Sequence, residues 1–218
     1  MTIGETCVVL VAKSGGPLRY SAEFERRPGG AESTVAVGVA RLGHSAGWVS
    51  KLGDDEFGKY VLNVMRGEQV DTSCVSITSS SQTGVFFREN RASGPSTVYY
   101  YRKNSAFSTI APEDLNEDYI SSAKILHLTG ITPGLSRSAR ETVERAVEIA
   151  VANGVQIVLD FHVVGNEADR HNNNILHALF GKLREIIAHV RFQPRLRWRP
   201  TAALINKSPR TVSCVLTD

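Results

Sequence analysis

Apolar residues recur along the chain in runs that predict strands separated by amphipathic helices. A helical repeat of apolar positions predicts helices over 31–42, 55–66 and 136–153, and Gly43 ends the first of them. Short buried or alternating runs predict strands at 6–12, 20–27, 45–52, 74–78, 83–89, 97–102, 124–128 and 155–160. Strands that alternate with helices favour a parallel sheet covered on both faces, so the pattern predicts an α/β fold.

The short runs at 74–78, 83–89 and 97–102 follow one another without a helix between them. Alternation of apolar and polar residues in consecutive strands is typical of an antiparallel sheet with one exposed face. We therefore expect a small antiparallel element on the main α/β body.

The helix predicted at 31–42 follows directly on Gly29 and Gly30. Glycines at this position are compatible with an ordinary turn that ends at a helix cap. They are equally compatible with a site where a ligand approaches the main chain, because a helix N-terminus offers unpaired N–H groups and a positive dipole end. The two glycines alone leave both interpretations open.

The composition is that of an ordinary globular protein, with 218 residues, 42% of them hydrophobic, and a net charge of +3. There is no apolar run of membrane-spanning length, and the first residues, MTIGETCVVLVAK, do not resemble a secretory leader. These features predict a cytoplasmic protein. The three cysteines, Cys7, Cys74 and Cys214, are widely spaced, which favours reduced thiols over a disulfide framework or a zinc site.

Positive charge is concentrated near the end of the chain. Residues 182–210 carry eight Lys or Arg and one acid. Nucleic acid is one conceivable partner of such a segment, but three prolines interrupt it and it has no periodicity, so we expect no nucleic-acid binding. We predict a folded domain over 1–190 and a basic, poorly ordered tail over 191–218.

Four stretches, taken together, resemble the ribokinase-like, or PfkB, carbohydrate kinases, and among them the 2-keto-3-deoxygluconate kinases. They keep the order and spacing of that family, and the resemblance extends from about residue 4 to residue 160. The stretches are GGAESTVAVGVARLGHSAGWVSKLGDDEFGKYVLNVMRGEQVD (29–71), TGVFFRE (83–89), VYYYRKNSA (98–106) and ILHLTGITP (125–133).

The resemblance implies a Rossmann-like ribokinase fold, here incomplete, with a small β-sheet lid whose strands lie within about 15–27 and 83–102. It also implies ATP-dependent phosphorylation of a sugar or sugar acid, with Mg²⁺ and ATP as cofactors. In this family the lid often joins two subunits, so a homodimer through the lid is the expected assembly.

The resemblance also implies a set of substrate-binding residues. Gly29 and Gly30 match the glycines against which the sugar rests, and Thr34 stands where the family usually has Asn. Phe86 often corresponds to Tyr, and the acid preference depends on Tyr100 and Arg102, because a hydroxyl beside a guanidinium suits a carboxylate. The alternative is that these aromatic residues simply pack a lid or a dimer seam. Ile131 matches a main-chain contact on the substrate loop.

Other candidate groups are better explained as structural. Asp54 and Asp55 could be paired acid–base carboxylates, but acids at a helix N-terminus are common, and we interpret them so. His44 and His127 lack companions at metal-ligand spacing. A metal cluster of His162, His171 and His177 with Glu167 and Asp169 is the weakest hypothesis, because spacings of nine and six residues place no two of the histidines on one helical face.

The resemblance breaks after Asp160, where the family continues with Asp-Pro-Asn-x-Arg and this chain has Val164 in place of the arginine. The catalytic Gly-Ala-Gly-Asp loop of the family is absent from the sequence, as is a Walker-type loop. We therefore assign no catalytic, ATP-binding or metal-binding residue. The expectation is an N-terminal fragment or frame-shifted product of a sugar-acid kinase, inactive alone. The alternative is a non-catalytic module that binds a sugar acid or a partner kinase subunit.

Overall fold

The computed structural model describes residues 1–91, 96–162, 197–199 and 211–217, with the backbone alone from residue 161 onward. The chain divides into two compact units, Gly4–Thr109 and a second formed by Met1–Ile3 with Ile110–Asp218. We refer to them as the 4–109 unit and the 110–218 unit.

The strands and helices largely follow the pattern of the sequence. The helices are α1 (Ala31–Arg41), α2 (Glu56–Gly67), α3 (Glu117–Ser121) and α4 (Arg137–Ala152), with short 3-10 turns at Leu18–Tyr20, Phe107–Thr109, Pro112–Asp114 and Thr132–Gly134. The strands are β1 (Thr2–Ile3), β2 (Cys7–Gly15), β3 (Phe24–Gly29), β4 (Trp48–Gly53), β5 (Val75–Thr78), β6 (Val85–Asn90), β7 (Val98–Tyr101), β8 (Ile125–Thr129), β9 (Gln156–His162), β10 (Arg197–Arg199) and β11 (Thr211–Thr217).

The 4–109 unit contains a four-stranded sheet in the order β3-β2-β6-β7. Strand β2 pairs antiparallel with β3 and parallel with β6, and β6 pairs antiparallel with β7. The ladder between β2 and β6 is irregular between Val11 and Gly15. The sequence predicts a small sheet here, but an antiparallel one. The observed sheet is mixed, because it takes in β2, which pairs parallel with β6 and lies almost entirely before residue 15.

Strand β5 corrects the sequence-based interpretation of 74–78. It pairs parallel with β4, from Ser50 opposite Val75 to Gly53 opposite Thr78, and so does not belong to the antiparallel element. Its four residues are too few for their alternation to distinguish the two kinds of pairing.

Buried side chains from β2, α1, β4 and α2 form the core of the 4–109 unit. Trp48 is fully buried at its centre, with Val61 and Met65 of α2 in the same cluster. The indole of Trp48 donates a hydrogen bond to the carbonyl oxygen of Gly4 at 3.1 Å, which satisfies its one polar group inside the core. Helix α1 ends at Arg41, Leu42 is its C-cap, and Gly43 follows with φ +82°, as the sequence predicts.

The 110–218 unit has the strand order β10-β11-β9-β8-β1. Strand β8 pairs parallel with β9, from Ile125 opposite Gln156 to Thr129 opposite Asp160. Helix α4 connects them as predicted, and Gly154 lies beyond its end at φ +69°. The buried residues of α4 include Val143, Ala146, Val147 and Ala150, and those of β8 and β9 include Leu126, Leu128, Ile157 and Leu159.

The basic tail predicted at 191–218 lies mostly outside the described residues. Within it, β10 and β11 are strands, and β11 pairs antiparallel with β9. This differs from the disorder that the composition predicts, because Thr211–Thr217 is an apolar run of strand length rather than part of the charged stretch. Across the ranges that the structure describes, no helix is both long enough and apolar enough to cross a membrane.

Candidate functional site

Gly29 and Gly30 lie where β3 ends and α1 begins. At both positions, neighbouring atoms fill the space that a side chain would occupy. Gly30 precedes α1 with φ −164° and ψ 139°, an extended conformation open to any residue. A β-carbon on Gly29 would collide with Val9 and Phe86, and one on Gly30 would collide with the carbonyl oxygen of Glu5. Space, not backbone angle, therefore requires glycine at both positions.

The hydroxyl side chains at the start of α1 donate hydrogen bonds to the main chain just before the helix. Thr34 Oγ1 donates to the carbonyl oxygen of Gly30 at 2.6 Å, and Ser33 Oγ donates to the same oxygen at 3.2 Å. The Thr34 hydroxyl is exposed. Because its proton is already used, it can only accept from a ligand in this conformation.

Phe86 and Tyr100 lie opposite each other on β6 and β7. Their ring centroids are 5.2 Å apart with planes inclined at 46°. Tyr100 is 60% exposed, so one face of the pair is open to solvent. The guanidinium carbon of Arg102 lies 5.7 Å from the Tyr100 ring centroid. Gly29, Phe86, Tyr100 and Arg102 thus form a continuous series of neighbours on one side of the four-stranded sheet.

Arg102 is held by a buried carboxylate from the first residues of the unit. One of its terminal nitrogens forms an ion pair with Glu5, whose side chain is only 4% exposed. Ser105 Oγ donates to the other oxygen of Glu5 at 2.5 Å. The Nε atom of Arg102 is buried and has no hydrogen-bond partner within the described part of the chain.

Gly84 and Cys7 complete the surroundings of Glu5. A β-carbon at Gly84 would lie 2.7 Å from Cys7 Sγ, 2.7 Å from Glu5 Oε1 and 3.3 Å from Arg102 Cβ, so the ion pair needs a glycine here. Burial and the nearby Glu5 carboxylate raise the pKa of the Cys7 thiol to about 12, and the Arg102 cation opposes them. Cys7 is therefore an inert thiol at neutral pH.

Two cavities adjoin these residues within the 4–109 unit. The larger, about 720 Å³, has Arg102, Gly84 and Lys103 in its wall together with the first residues of α2. The smaller, about 280 Å³, lies against α1 and contains Thr34 and the ion pair of Arg41 with Glu68. Thr34 and Arg102 therefore line different cavities, although the resemblance assigns both to one ligand.

Asp55 is a helix cap, as the sequence analysis concludes. Its Oδ1 accepts from the Gly58 N–H at 2.7 Å, and its Oδ2 accepts from the Thr83 N–H at 2.8 Å. Partial burial opposes ionisation of Asp55, but the hydrogen bonds from Thr83, Gly58 and Phe57 outweigh it and lower the pKa. A carboxylate held ionised in this way does not donate a proton near neutral pH, and it is a weaker base than an ordinary aspartate.

Ile131 lies in the 110–218 unit, whereas the other candidate residues lie in the 4–109 unit. Its N–H donates to Thr129 Oγ1 at 3.1 Å, and its carbonyl oxygen accepts from Gly134 N–H at 3.0 Å. Its N–H is therefore engaged, whereas its carbonyl retains a second lone pair.

Sequence reasoning missed Glu5 and Ser105. Glu5 is the only charged residue in the run Thr2–Ala12, and a lone acid within an apolar strand predicts a buried carboxylate with a partner. The partner itself was not predictable, because Glu5 and Arg102 are brought together only by the pairing of β2 with β6 and of β6 with β7. The proposed histidine cluster lies outside the residues whose side chains are described.

The sequence matches the model of the pfkB family carbohydrate kinases over residues 1–186. The chain belongs to this family. It is 38% identical over 148 residues to a 2-dehydro-3-deoxygluconokinase from Thermoproteus tenax, an alignment that covers 67% of the chain and 46% of that relative. The chain spans about half the length of the curated relatives it matches.

Solved structures of sugar kinases confirm the ribokinase type of α/β fold. A PfkB protein from Polaromonas sp. JS666 is 33% identical with a TM-score of 0.77, covering 82% of this chain and 61% of that protein. A sugar kinase from Pyrococcus horikoshii, solved in complex with ATP, is 29% identical with a TM-score of 0.70, covering 85% and 59%.

Proposed function

We propose that this chain is the sugar-binding part of an ATP-dependent sugar-acid kinase and that its ligand is 2-keto-3-deoxygluconate. The observation that carries the proposal is the series formed by Gly29, Phe86, Tyr100 and Arg102 on one side of the four-stranded sheet. The similarity to 2-dehydro-3-deoxygluconokinases supports the same substrate class.

The chemistry of this face suits a small anion with hydroxyl groups. A guanidinium can donate two parallel hydrogen bonds to a carboxylate, and the neighbouring Tyr100 hydroxyl adds a third donor. The tilted Phe86 and Tyr100 rings offer an apolar wall for the carbon chain of the ligand. By resemblance to the family, we also propose Thr34 as an acceptor for a sugar hydroxyl and Ile131 as a main-chain contact through the second lone pair of its carbonyl oxygen.

Phosphoryl transfer is not assigned to this chain alone. The family is ATP-dependent, and ATP and Mg²⁺ enter the proposal only through it. Within the described residues there is no group of three or more His, Cys, Asp or Glu side chains placed to hold a metal ion. We expect the chain to form no phosphorylated sugar from ATP by itself.

Calorimetric titration of the 218-residue chain with 2-keto-3-deoxygluconate tests the proposal. We expect saturable heat that is lost in Arg102→Ala and kept in Arg88→Ala, an exposed arginine on the same sheet. Equal loss in both variants would point to a general charge effect. Absence of saturable heat in the unmodified chain would contradict the proposal.

The exposed tyrosines of β7 support a homodimer formed through the lid. Tyr100 is 60% and Tyr101 is 67% exposed, on a strand at the edge of its sheet. Exposed aromatic residues on an unpaired edge favour association with another copy. Sedimentation equilibrium should give twice the monomer mass, and Tyr101→Asp should give a monomer while Tyr20→Asp, an exposed tyrosine outside the sheet, should not. A monomeric unmodified chain would refute the dimer.

The proposed substrate and ATP are both metabolites of the cell interior, which agrees with the cytoplasmic location inferred from the sequence. Labelling of the intact cell surface should leave the chain unmodified.

A further inference from the structure

The ion pair of Glu5 with Arg102 lies inside the proposed binding face. The group that Glu5 presents to Arg102 is a carboxylate, and the proposed ligand would present a carboxylate to the same guanidinium. Glu5 is buried, its second oxygen is fixed by Ser105, and Gly84 leaves the room that it occupies. The site without a sugar therefore already contains a carboxylate bound to its guanidinium.

This internal carboxylate has a clear role in the absence of ligand. Only 21% of the Arg102 side chain is exposed. A largely buried cation without a counter-charge strongly destabilises a fold, and removing one partner of such a pair is costly. Glu5 therefore stabilises the chain when no ligand is bound.

The same carboxylate repels an incoming anion. A ligand carboxylate that reaches Arg102 lies within a few ångströms of Glu5, where like charges interact unfavourably in a partly buried site. Glu5 does not repel a neutral sugar in this way. The buried Nε–H of Arg102, which has no partner in the described residues, remains as a donor that Glu5 does not use.

We propose that Glu5 is a specificity-determining residue that competes for Arg102 and so sets how strongly the site prefers a sugar acid to a neutral sugar. The inference rests on the proposed function, since it takes Arg102 as the group that binds the carboxylate. Glu5 acts through Arg102 and does not itself contact the sugar.

The test compares two ligands of nearly the same shape, one charged and one neutral. Binding of 2-keto-3-deoxygluconate and of its neutral primary amide is measured by calorimetry for the unmodified chain and for Glu5→Gln. We expect the acid-to-amide affinity ratio to rise by roughly tenfold in Glu5→Gln, because the competing charge is gone. The melting temperature is expected to fall in the same variant, because Arg102 loses its counter-charge.

The expected rise in the acid-to-amide affinity ratio and the expected fall in melting temperature together distinguish a role in specificity from a purely structural role. A residue that only supports the fold would weaken acid and amide together and leave their ratio unchanged, and that result would overturn the proposal. Glu25→Gln is the matched control, because Glu25 also pairs with an arginine, Arg27, but lies exposed on β3. The ratio should not change in Glu25→Gln.

A ligand-free measurement keeps the two proposals distinguishable. A guanidinium held by a carboxylate rotates slowly about its C–N bonds, so its Nη protons give separate NMR signals. We expect separate signals for Arg102, assigned by their loss in Arg102→Lys, and averaged signals in Glu5→Gln. Averaged signals in the unmodified chain would overturn the inference even if the sugar binds. Separate signals in a chain that binds neither the acid nor the amide would show that the ion pair is intact but that the ligand is wrongly assigned. Both proposals would then be overturned.

Discussion

Asp55 and Thr83 are joined by a hydrogen bond that fastens the start of α2 to the segment before β6. Asp55 Oδ2 accepts the Thr83 N–H at 2.8 Å, while Thr83 Oγ1 accepts the Gly53 N–H at 3.0 Å. The same carboxylate caps α2 through Gly58. One side chain therefore links the end of β4, the first turn of α2 and the lead into β6.

Asp55→Ala should destabilise the chain by about 1–2 kcal/mol, because it removes a helix cap and leaves the Thr83 N–H without its acceptor. Urea unfolding followed by tryptophan fluorescence measures the change. Asp54→Ala is the control, since Asp54 is exposed and adjacent in sequence, and it should change the free energy of unfolding by much less. Equal effects in the two variants would refute the specific role of Asp55.

Gly84→Ala should destabilise the chain by about 1–3 kcal/mol, because the added carbon has no room beside Cys7 and Glu5. Gly38→Ala should act in the opposite direction. Gly38 lies inside α1, and the space that a β-carbon would occupy there is open. Within a helix, alanine is more favourable than glycine by roughly 0.5–1 kcal/mol. Thermal unfolding of both variants gives the two signs, and a stable Gly84→Ala chain would show that the ion pair tolerates displacement.

Cys7 should resist alkylation in the native chain. Its pKa, raised to about 12 by burial and by Glu5, keeps the reactive thiolate scarce at mildly alkaline pH. Mass spectrometry after iodoacetamide treatment should find Cys7 unmodified in native protein and modified in urea-unfolded protein. Rapid native labelling in a Cys74→Ser background would contradict the burial of Cys7.

Glu89 should hold the turn at Leu18–Tyr20 against the lid in its ionised form. Burial opposes ionisation of Glu89, but hydrogen bonds from Leu18 N–H, Arg91 and Tyr99 outweigh it and lower its pKa. A lowered carboxyl pKa contributes stability that is present above the unfolded value of about 4.3 and is lost as the pH falls through the folded value.

The amide resonance of Leu18 reports on this contact. We expect it to shift in acid with a midpoint below the ordinary glutamate value and to be displaced at neutral pH in Glu89→Gln. Glu23→Gln, which removes an exposed carboxylate that pairs with Lys13, serves as the control and should leave the resonance unchanged. A midpoint above the ordinary value would contradict the lowered pKa.

The sequence predicted what depends on local pattern. The cap at Asp55 and the glycine end of α1 follow from residue types at fixed positions, and the structure confirms them. The type of fold also followed, because the order of strands and helices is itself a sequence pattern. The parallel pairing of β5 with β4 and the two residues Thr2–Ile3 of β1 did not, since segments this short carry no distinctive period.

The candidate site was predictable only in part, for the same physical reason. Phe86, Tyr100 and Arg102 were identified by the family resemblance, and the structure places Phe86 opposite Tyr100 in the ladder between β6 and β7. Glu5 is far from Arg102 in sequence, and no periodicity relates them. The crowding around Gly29 and Gly30 is also non-local, because it comes from Val9, Phe86 and the Glu5 carbonyl.

The order in which the strands pair also affects how the chain emerges from the ribosome. All four strands of the sheet β3-β2-β6-β7 precede Arg102, so this sheet can complete its hydrogen bonding while the residues from Ile110 onward are still being synthesised. Strand β1 is made first but pairs with β8, where Thr2 lies opposite His127. The ladder between β1 and β8 must therefore wait until β8 has been made, whereas the lid sheet can form earlier.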